Sequence, residues 1–232
     1  MRLYYDLHTH SALSPCGDND MTPNNIVHMA MLNELDVIAI ADHNACDNLP
    51  AAAAVAEECG MILVPAIEVT TAEEIHVLGY FESVREALAF GECIYDALPD
   101  IALREDIFGN QYIMSNEDEI VGHKDKLLIS ASSYSYDDVF TMIRKRGGVP
   151  VPAHVNRDAY AVVASLGMIP DDPQLHTIEV YENLPTGSTD ILKYRCIYSS
   201  DAHYLENIAS KKHYLNCEKN VSSILEKLSS AI

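Results

Sequence analysis

Short apolar runs alternate along the chain with longer segments whose apolar positions recur at helical spacing. Leu3 to His10 reads as a first strand, followed by a turn rich in Ser, Pro, Gly, Asp and Asn from Ser14 to Asp20. Thr22-Pro23 then opens a helix through about Leu35, with Thr as N-cap and Pro at the first helical position. Asp36 to Ala41 predicts a short buried strand, and Asp47 to Cys59 an alanine-rich helix stopped by Gly60. Met61 to Thr70 and Ile75 to Phe81 are the next strands, and Glu82 to Ala89 the next helix.

The pattern then breaks. From Gly91 to about Ser133 the chain is acidic and weakly periodic, with a hairpin expected from Gln111–Met114 and Ile120-Val121 around a polar turn. This stretch, 91–133, reads as an insertion in a single domain spanning 1–232, because alternation resumes after it. Ser135 to Arg146 is a helix, Gly148 to His154 a strand and Arg157 to Leu166 a helix. His176 to Tyr181 and Cys196 to Ser200 follow as strands, and Ser222 to Leu228 as a closing helix. Such alternation suits an α/β barrel somewhat shorter than an eight-fold one.

Composition narrows the partners. Fifteen Lys and Arg against 35 Asp and Glu give a formal charge of −20. That surface repels a phosphate backbone, so long nucleic acid is expected to be a disfavoured partner; a small phosphorylated substrate is not disfavoured, because bound metals would dominate the field inside a pocket. Six cysteines form no Cys-x-x-Cys pair and no dense disulfide spacing. No signal or transit sequence and no membrane-spanning apolar run is recognised, so a reduced cytoplasmic setting without membrane contact is expected. Oligomeric state is not legible.

The positions of the histidines carry the chemistry. His8 and His10 stand two apart on a strand, so both side chains leave one face. Asp201 and His203 repeat that spacing after the last strand; Asp42-His43 ends the second strand, Glu68 the third, His76 lies in the fourth and His154 ends the strand before Val155. In a parallel barrel these strand ends share one rim. Each residue has an ordinary alternative as a helix cap, a satisfied core histidine or an exposed imidazole. Glu68 does not fit one well: it follows the apolar run MILVPAI, and no Lys or Arg lies nearby to pair with it. Taken together, the His, Asp and Glu set suits Zn(II), Mn(II) or Fe(II).

The ordered motifs D-L-H-T-H (Asp6–His10), I-A-D-H (Ile40–His43), Glu68, H-V-L-G-Y (His76–Tyr80), P-A-H (Pro152–His154) and S-D-A-H (Ser200–His203) resemble the PHP (polymerase and histidinol phosphatase) family. The resemblance runs over nearly the whole chain apart from the insertion. It implies a distorted, TIM-like (β/α)7 barrel with up to three divalent metals. By resemblance, His8, His10, Glu68 and Asp201 hold the first metal, and Glu68 bridges to a second held by His76 and His154. His43 and His203 hold a third, completed from the turn after the first motif. There Cys16, Asp18 and Asp20 are all available; Asp18 is chosen because the family often places Asp four residues before a helix-opening Thr-Pro.

The resemblance implies hydrolysis of a phosphate ester by metal-activated water, with a small phosphomonoester such as a nucleotide or sugar phosphate as the leading substrate. Arg157 is the phosphate-gripping candidate, its guanidinium matching phosphate oxygens in pairs. Asp6 and Asp42 are expected to orient histidines. His28, His123, His176 and His213 fit no motif. Within the family a nuclease, a histidinol phosphatase and a protein-tyrosine phosphatase are alternatives. Outside it stand an amidohydrolase, whose last motif typically supplies one Asp rather than Asp-x-His, and a non-catalytic metal-binding module, which should have lost ligands.

Overall fold

The computed structural model describes residues 1–187 and 190–231. In chain order its elements begin with β1 (Arg2–Thr9), α1 (Pro23–Leu32), β2 (Val37–Ile40), α2 (Leu49–Cys59), β3 (Ile62–Leu63), β4 (Ala66–Thr70), β5 (His76–Tyr80) and α3 (Val84–Asp96). Then come α4 (Glu105–Phe108), β6 (Tyr112–Met114), β7 (Ile120–His123), α5 (Tyr136–Lys145) and β8 (Val149–Pro152). The chain ends with α6 (Val162–Leu166), β9 (Thr177–Glu179), β10 (Arg195–Ile197), β11 (Tyr214–Asn216) and α7 (Val221–Ser229). No described helix is long and apolar enough to cross a membrane.

Local chemistry sets many of the boundaries. The Thr22 hydroxyl accepts from the Asn25 amide with Pro23 opening α1, and Gly60 closes α2 in the left-handed conformation at φ 65°. Ser135 and Asp138 form a reciprocal capping box at the start of α5. The helix α3 runs on through Gly91, where the expected insertion was to start, and a Cβ there would lie 3.1 Å from the Cys46 sulfur. The hairpin of the insertion is present as β6–β7.

The closed barrel is not observed. The described strands form four separate sheets, ordered β11-β1-β2-β3, β10-β9, β4-β5-β8 and β6-β7. One reason is the connection between β4 and β5. The five residues Thr71–Ile75 are too few for a helical crossover, so β5 returns antiparallel to β4, with Thr70 opposite His76. β8 is in turn antiparallel to β5, with Val77 opposite Pro152. β11, unforeseen from the sequence, pairs antiparallel with β1.

The sheets nevertheless enclose one interior cluster. Leu3 and Leu7 of β1, Val37 of β2, Leu78 of β5, Val151 of β8 and Ile197 of β10 meet there, joined by Ile224 and Leu228 of α7. Helices α1, α2, α3 and α5 pack a second cluster outside the strands. Burial of these chains at ~25 cal/mol per Å² of apolar surface is the main force that gathers the strand ends.

Candidate metal centre

Glu68 stands at the middle of the site. Its carboxylate lies within 3.5 Å of a ring nitrogen of five histidines: His8 (3.4 Å), His10 (3.5 Å), His43 (2.9 Å), His76 (3.0 Å) and His154 (3.2 Å). All six residues are buried. The antiparallel β4–β5 pairing is what brings His76 here: as the first residue of β5 it faces the same rim as the end of β4. His154 follows β8 at the same end, and isolated bridges join Thr9 to Ala202 and His43 to Glu68. Asp201 completes the ring, 3.0 Å from His10 Nε2, with His203 beside it. His154 and Asp201 both take left-handed backbone conformations (φ 28° and 52°), a strain that persists only where surrounding structure fixes it.

The hydrogen bonds fix which ring nitrogens face inward. Glu179 accepts from His8 Nδ1 at 3.0–3.1 Å and from the His154 amide at 2.9 Å. Asp42 accepts from the Ser11 amide and from the hydroxyls of Ser11 and Ser14. With its proton given to Asp42, Ser14 can only accept from His10 Nδ1, 3.0 Å away. The neutral rings of His8 and His10 therefore present Nε2 lone pairs to one another across 3.2 Å. Lone pairs so placed repel unless a cation or proton lies between them. The same holds for His43 Nδ1 and Glu68 Oε2, which are buried, close, and without a hydrogen-bond partner.

Protonation follows this electrostatics. Burial opposes charge on His8, but Glu179, Asp201 and Glu68 overcome it and push its pKa well up. Burial and the neighbouring His203 and His43 hold His10 well below the usual range. Burial likewise pulls His76 down to about 4 against the pull of Glu68. Burial raises Glu68, yet the surrounding histidines hold it well below the ordinary carboxylate range. The site thus combines anionic carboxylates with imidazoles, His10 and His76 held unprotonated and His8 and His43 drawn to a proton that a bound cation would replace, a donor set that fits divalent metals. Three ligand groups are compact enough to hold an ion: His8–His10–Asp201, His43–Glu68–His76 and His10–His43–His203.

Two expectations change. Arg157 is not on a helix; it lies in the turn after His154, with Nη1 2.6 Å from Asp201 Oδ2 and its guanidinium 4.3 Å from the Tyr181 ring centre. Asp18 stands outside the three ligand groups, its carboxylate accepting from the Asp20 amide at 2.8 Å. Asp42 does orient a histidine through Ser14. Asp6 instead anchors the last motif, accepting from the Ser200 hydroxyl and the amides of Ser200 and Ala209. Sequence reading missed Glu179. Its signal was the one that marked Glu68, a carboxylate in an apolar strand (T-I-E-V) without a basic neighbour.

A cavity of about 390 Å³ opens over the cluster between His76, His203, Arg157 and Tyr160, whose ring stacks on His76 at 4.7 Å. A second cleft of about 590 Å³ shares Arg157 and Asp201 with it and is bordered by Tyr181, Tyr198, Lys212 and His213.

No family model matches the chain. Solved structures share its fold, PHP-like metal-dependent phosphoesterases among them. A two-domain protein of Bacteroides vulgatus containing such a domain superposes with TM-score 0.59 and 18% identity over 99% of this chain and 63% of that one. The lesion-specific endonuclease EndoQ of Pyrococcus furiosus superposes with TM-score 0.69 and 14% identity over 99% of this chain and 56% of that one. Among curated proteins, a 5'-3' exoribonuclease of Haemophilus influenzae is 35% identical over 78 residues, 32% of this chain and 27% of that protein. The 5'-3' exoribonuclease Rnm of Salmonella typhimurium is 35% identical over 80 residues, 32% of this chain and 26% of that protein. The matched segment is thus about a quarter of either relative's length.

These findings correct the expectation that long nucleic acid is a disfavoured partner. The relatives are exoribonucleases, and endonuclease Q is also seen in complex with a 27-mer duplex substrate, with TM-score 0.60 and 16% identity over 88% of this chain and 50% of that one. Net charge averages over the whole surface, whereas the field at a metal centre is set locally by the ions.

Proposed function

We propose that the chain is a metal-dependent hydrolase of nucleic-acid phosphodiesters that works inward from a strand end. The observation that carries the reading is the convergence of five histidines and Asp201 on Glu68 beneath an open cavity. Divalent ions bound there would supply an activated water and neutralise charge that builds on the phosphate.

The chain's own residues do the rest. Glu68, Asp201 and the histidines would hold the ions, and Glu179 and Ser14 hold His8 and His10 in the tautomer that would coordinate them. The cavity lies within the ~300–1,000 Å³ typical of small-ligand pockets, so it suits one nucleotide rather than a duplex. The adjoining cleft, with aromatic faces at Tyr181, Tyr198 and His213 and a cation at Lys212, suits the stacked bases and phosphates of a following strand. Working from an end also accommodates the charge of −20: only the few phosphates nearest the metals need favourable contacts, so no long basic groove is required.

The test is a metal-reconstituted assay with Mn(II), Zn(II) or Fe(II) on end-labelled oligoribonucleotides, matching oligodeoxyribonucleotides and nucleoside monophosphates. Progressive shortening of an oligonucleotide is expected. Hydrolysis of the monophosphates alone would return the substrate to the small phosphomonoester class, and no hydrolysis of any phosphate ester would overturn the reading.

A further inference from the structure

Asn48 occupies the N-cap position of α2, yet its side chain makes no capping bond there, and it is fully buried. An asparagine so placed ordinarily satisfies an open amide of the first helical turn. Here the side chain is turned instead toward the 91–133 stretch. Its Oδ1 accepts from the Met114 amide at 2.8 Å and its Nδ2 donates to the Tyr112 carbonyl at 3.1 Å, so it holds both ends of β6. The other Nδ2 hydrogen goes to Ser11 Oγ at 2.8 Å. A backbone amide can only donate and a carbonyl only accept, so Met114 and Tyr112 settle which side of the Asn48 amide is which.

From Ser11 the direction of every proton follows. Ser11 Oγ accepts from Asn48 and from the Leu13 amide at 3.2 Å, and its own proton goes to Asp42 Oδ2 at 2.6 Å. Ser14 Oγ accepts from the His43 amide at 3.1 Å and gives its proton to Asp42 Oδ1 at 2.7 Å. Its remaining lone pair takes the His10 Nδ1 hydrogen at 3.0 Å. Each hydroxyl thus donates once and accepts twice, its full capacity. Ser11, Ser14, Asp42, Asn48 and His10 are all buried, so bulk water does not compete for these groups. The hairpin also reaches this loop directly, the Tyr112 amide donating to the Ala12 carbonyl at 2.8 Å.

We propose that Asn48 is a positioning residue: through Ser11, Asp42 and Ser14 it ties the β6–β7 hairpin to the metal-ligand candidate His10. This rests on the metal-dependent reading above and deepens it, giving the 91–133 stretch a part in the metal centre. With the chain of bonds saturated, His10 keeps its Nδ1 hydrogen and its ring orientation, and Nε2 stays turned toward His8 and Asp201, with which it forms a compact ligand group. Without the Asn48 donor, Ser11 Oγ is left with an unfilled acceptor and its hydroxyl is free to turn away from Asp42. That slack passes through Asp42 to Ser14 and His10. Buried polar networks are rigid when every member is satisfied and loosen when one is lost.

The test is a double-mutant cycle on the full chain, read by Zn(II) competition titration, with the melting temperature of the metal-free protein as the record of fold stability. Asn48→Ala and Ser11→Ala are each expected to weaken zinc binding about tenfold, the lower end of the range for groups that support a ligand. Because both cut one chain of bonds, the double variant should also bind about tenfold more weakly than wild type, not the roughly hundredfold that independent effects would give. Ser11→Ala leaves both hairpin bonds of Asn48 in place, so it reads the link even if Asn48→Ala does not fold. Gln111→Leu is the control: its side chain bonds the Lys124 and Lys126 carbonyls and the Leu128 amide of the same stretch without touching Ser11. It should lower the melting temperature and leave zinc affinity unchanged. Wild-type affinity in Asn48→Ala or in Ser11→Ala, additive losses in the double variant, or an equal loss in Gln111→Leu would overturn the assignment. Any of these in a wild type that binds zinc overturns the Asn48 link alone, whereas less than one zinc per wild-type chain overturns the metal-dependent reading with it.

Discussion

Arg157 is held against Asp201, with Nη1 2.6 Å from Oδ2, while the other carboxylate oxygen of Asp201 faces His8 and His10. One oxygen is thus turned to the arginine and the other to the metal donors. Arg157 also borders both the cavity over the cluster and the cleft beside it. It can therefore position a ligand and meet a phosphate.

From this double role, Arg157→Ala is expected to lower turnover by roughly one to three orders of magnitude and to weaken metal binding by ~10–100-fold. Arg157→Lys should recover part of the metal affinity but less of the turnover, because an ammonium cannot pair with two oxygens at once. Steady-state kinetics and metal competition titrations check both. Unchanged kinetics would leave Arg157 as a structural partner of Asp201 and Tyr181 only.

Removal of metal should abolish hydrolysis and lower the melting temperature, because the cluster then gathers anionic Glu68 and Asp201 with only imidazolium protons and the Arg157 guanidinium to offset them. Restoring Mn(II), Zn(II) or Fe(II) at about one hundred times the dissociation constant should return ~2.7 kcal/mol per independent site. Elemental analysis and thermal denaturation measure this. Full activity with less than one metal per chain would refute it.

Glu179→Gln tests the support of His8 and His154. The amide keeps the shape but removes the charge opposite His8 Nδ1. Metal affinity is expected to fall by ~10–100-fold, with little change in the secondary structure read by circular dichroism. Affinity equal to wild type would show that the ring is held by packing alone.

Gly17→Ala probes the turn that carries Cys16. An added Cβ would meet backbone, 2.7 Å from the Ser11 carbonyl oxygen and 3.2 Å from that of Ser14. The turn must shift, at a cost of roughly 1–3 kcal/mol, or several degrees of melting temperature. Gly122→Ala is the control, since its Cβ would make only ordinary contacts at 3.5 Å with Ile113. Equal melting temperatures for the two variants would show that the turn is not under constraint.

By itself the sequence determined the local elements and named most of the residues that the fold gathers around Glu68. Caps such as Thr22-Pro23 and Ser135, the stop at Gly60 and the apolar runs of β1 and β2 are written in residues close together, where backbone hydrogen bonding and steric preference act directly. Eight of the nine ligands read from the motifs, all but Asp18, fall within the three compact ligand groups or, for His154, beside Glu68.

Long-range pairing was decided only in three dimensions. A barrel follows from alternation if every connection crosses over, but the short Thr71–Ile75 link reverses β5, and no periodicity records direction. That reversal is also why His76, at the start of its strand, serves a site otherwise built from strand ends. Glu179 belongs to the tertiary structure for the same reason. Its role depends on which side chain a distant segment turns toward His8, and packing, not residue type, settles that.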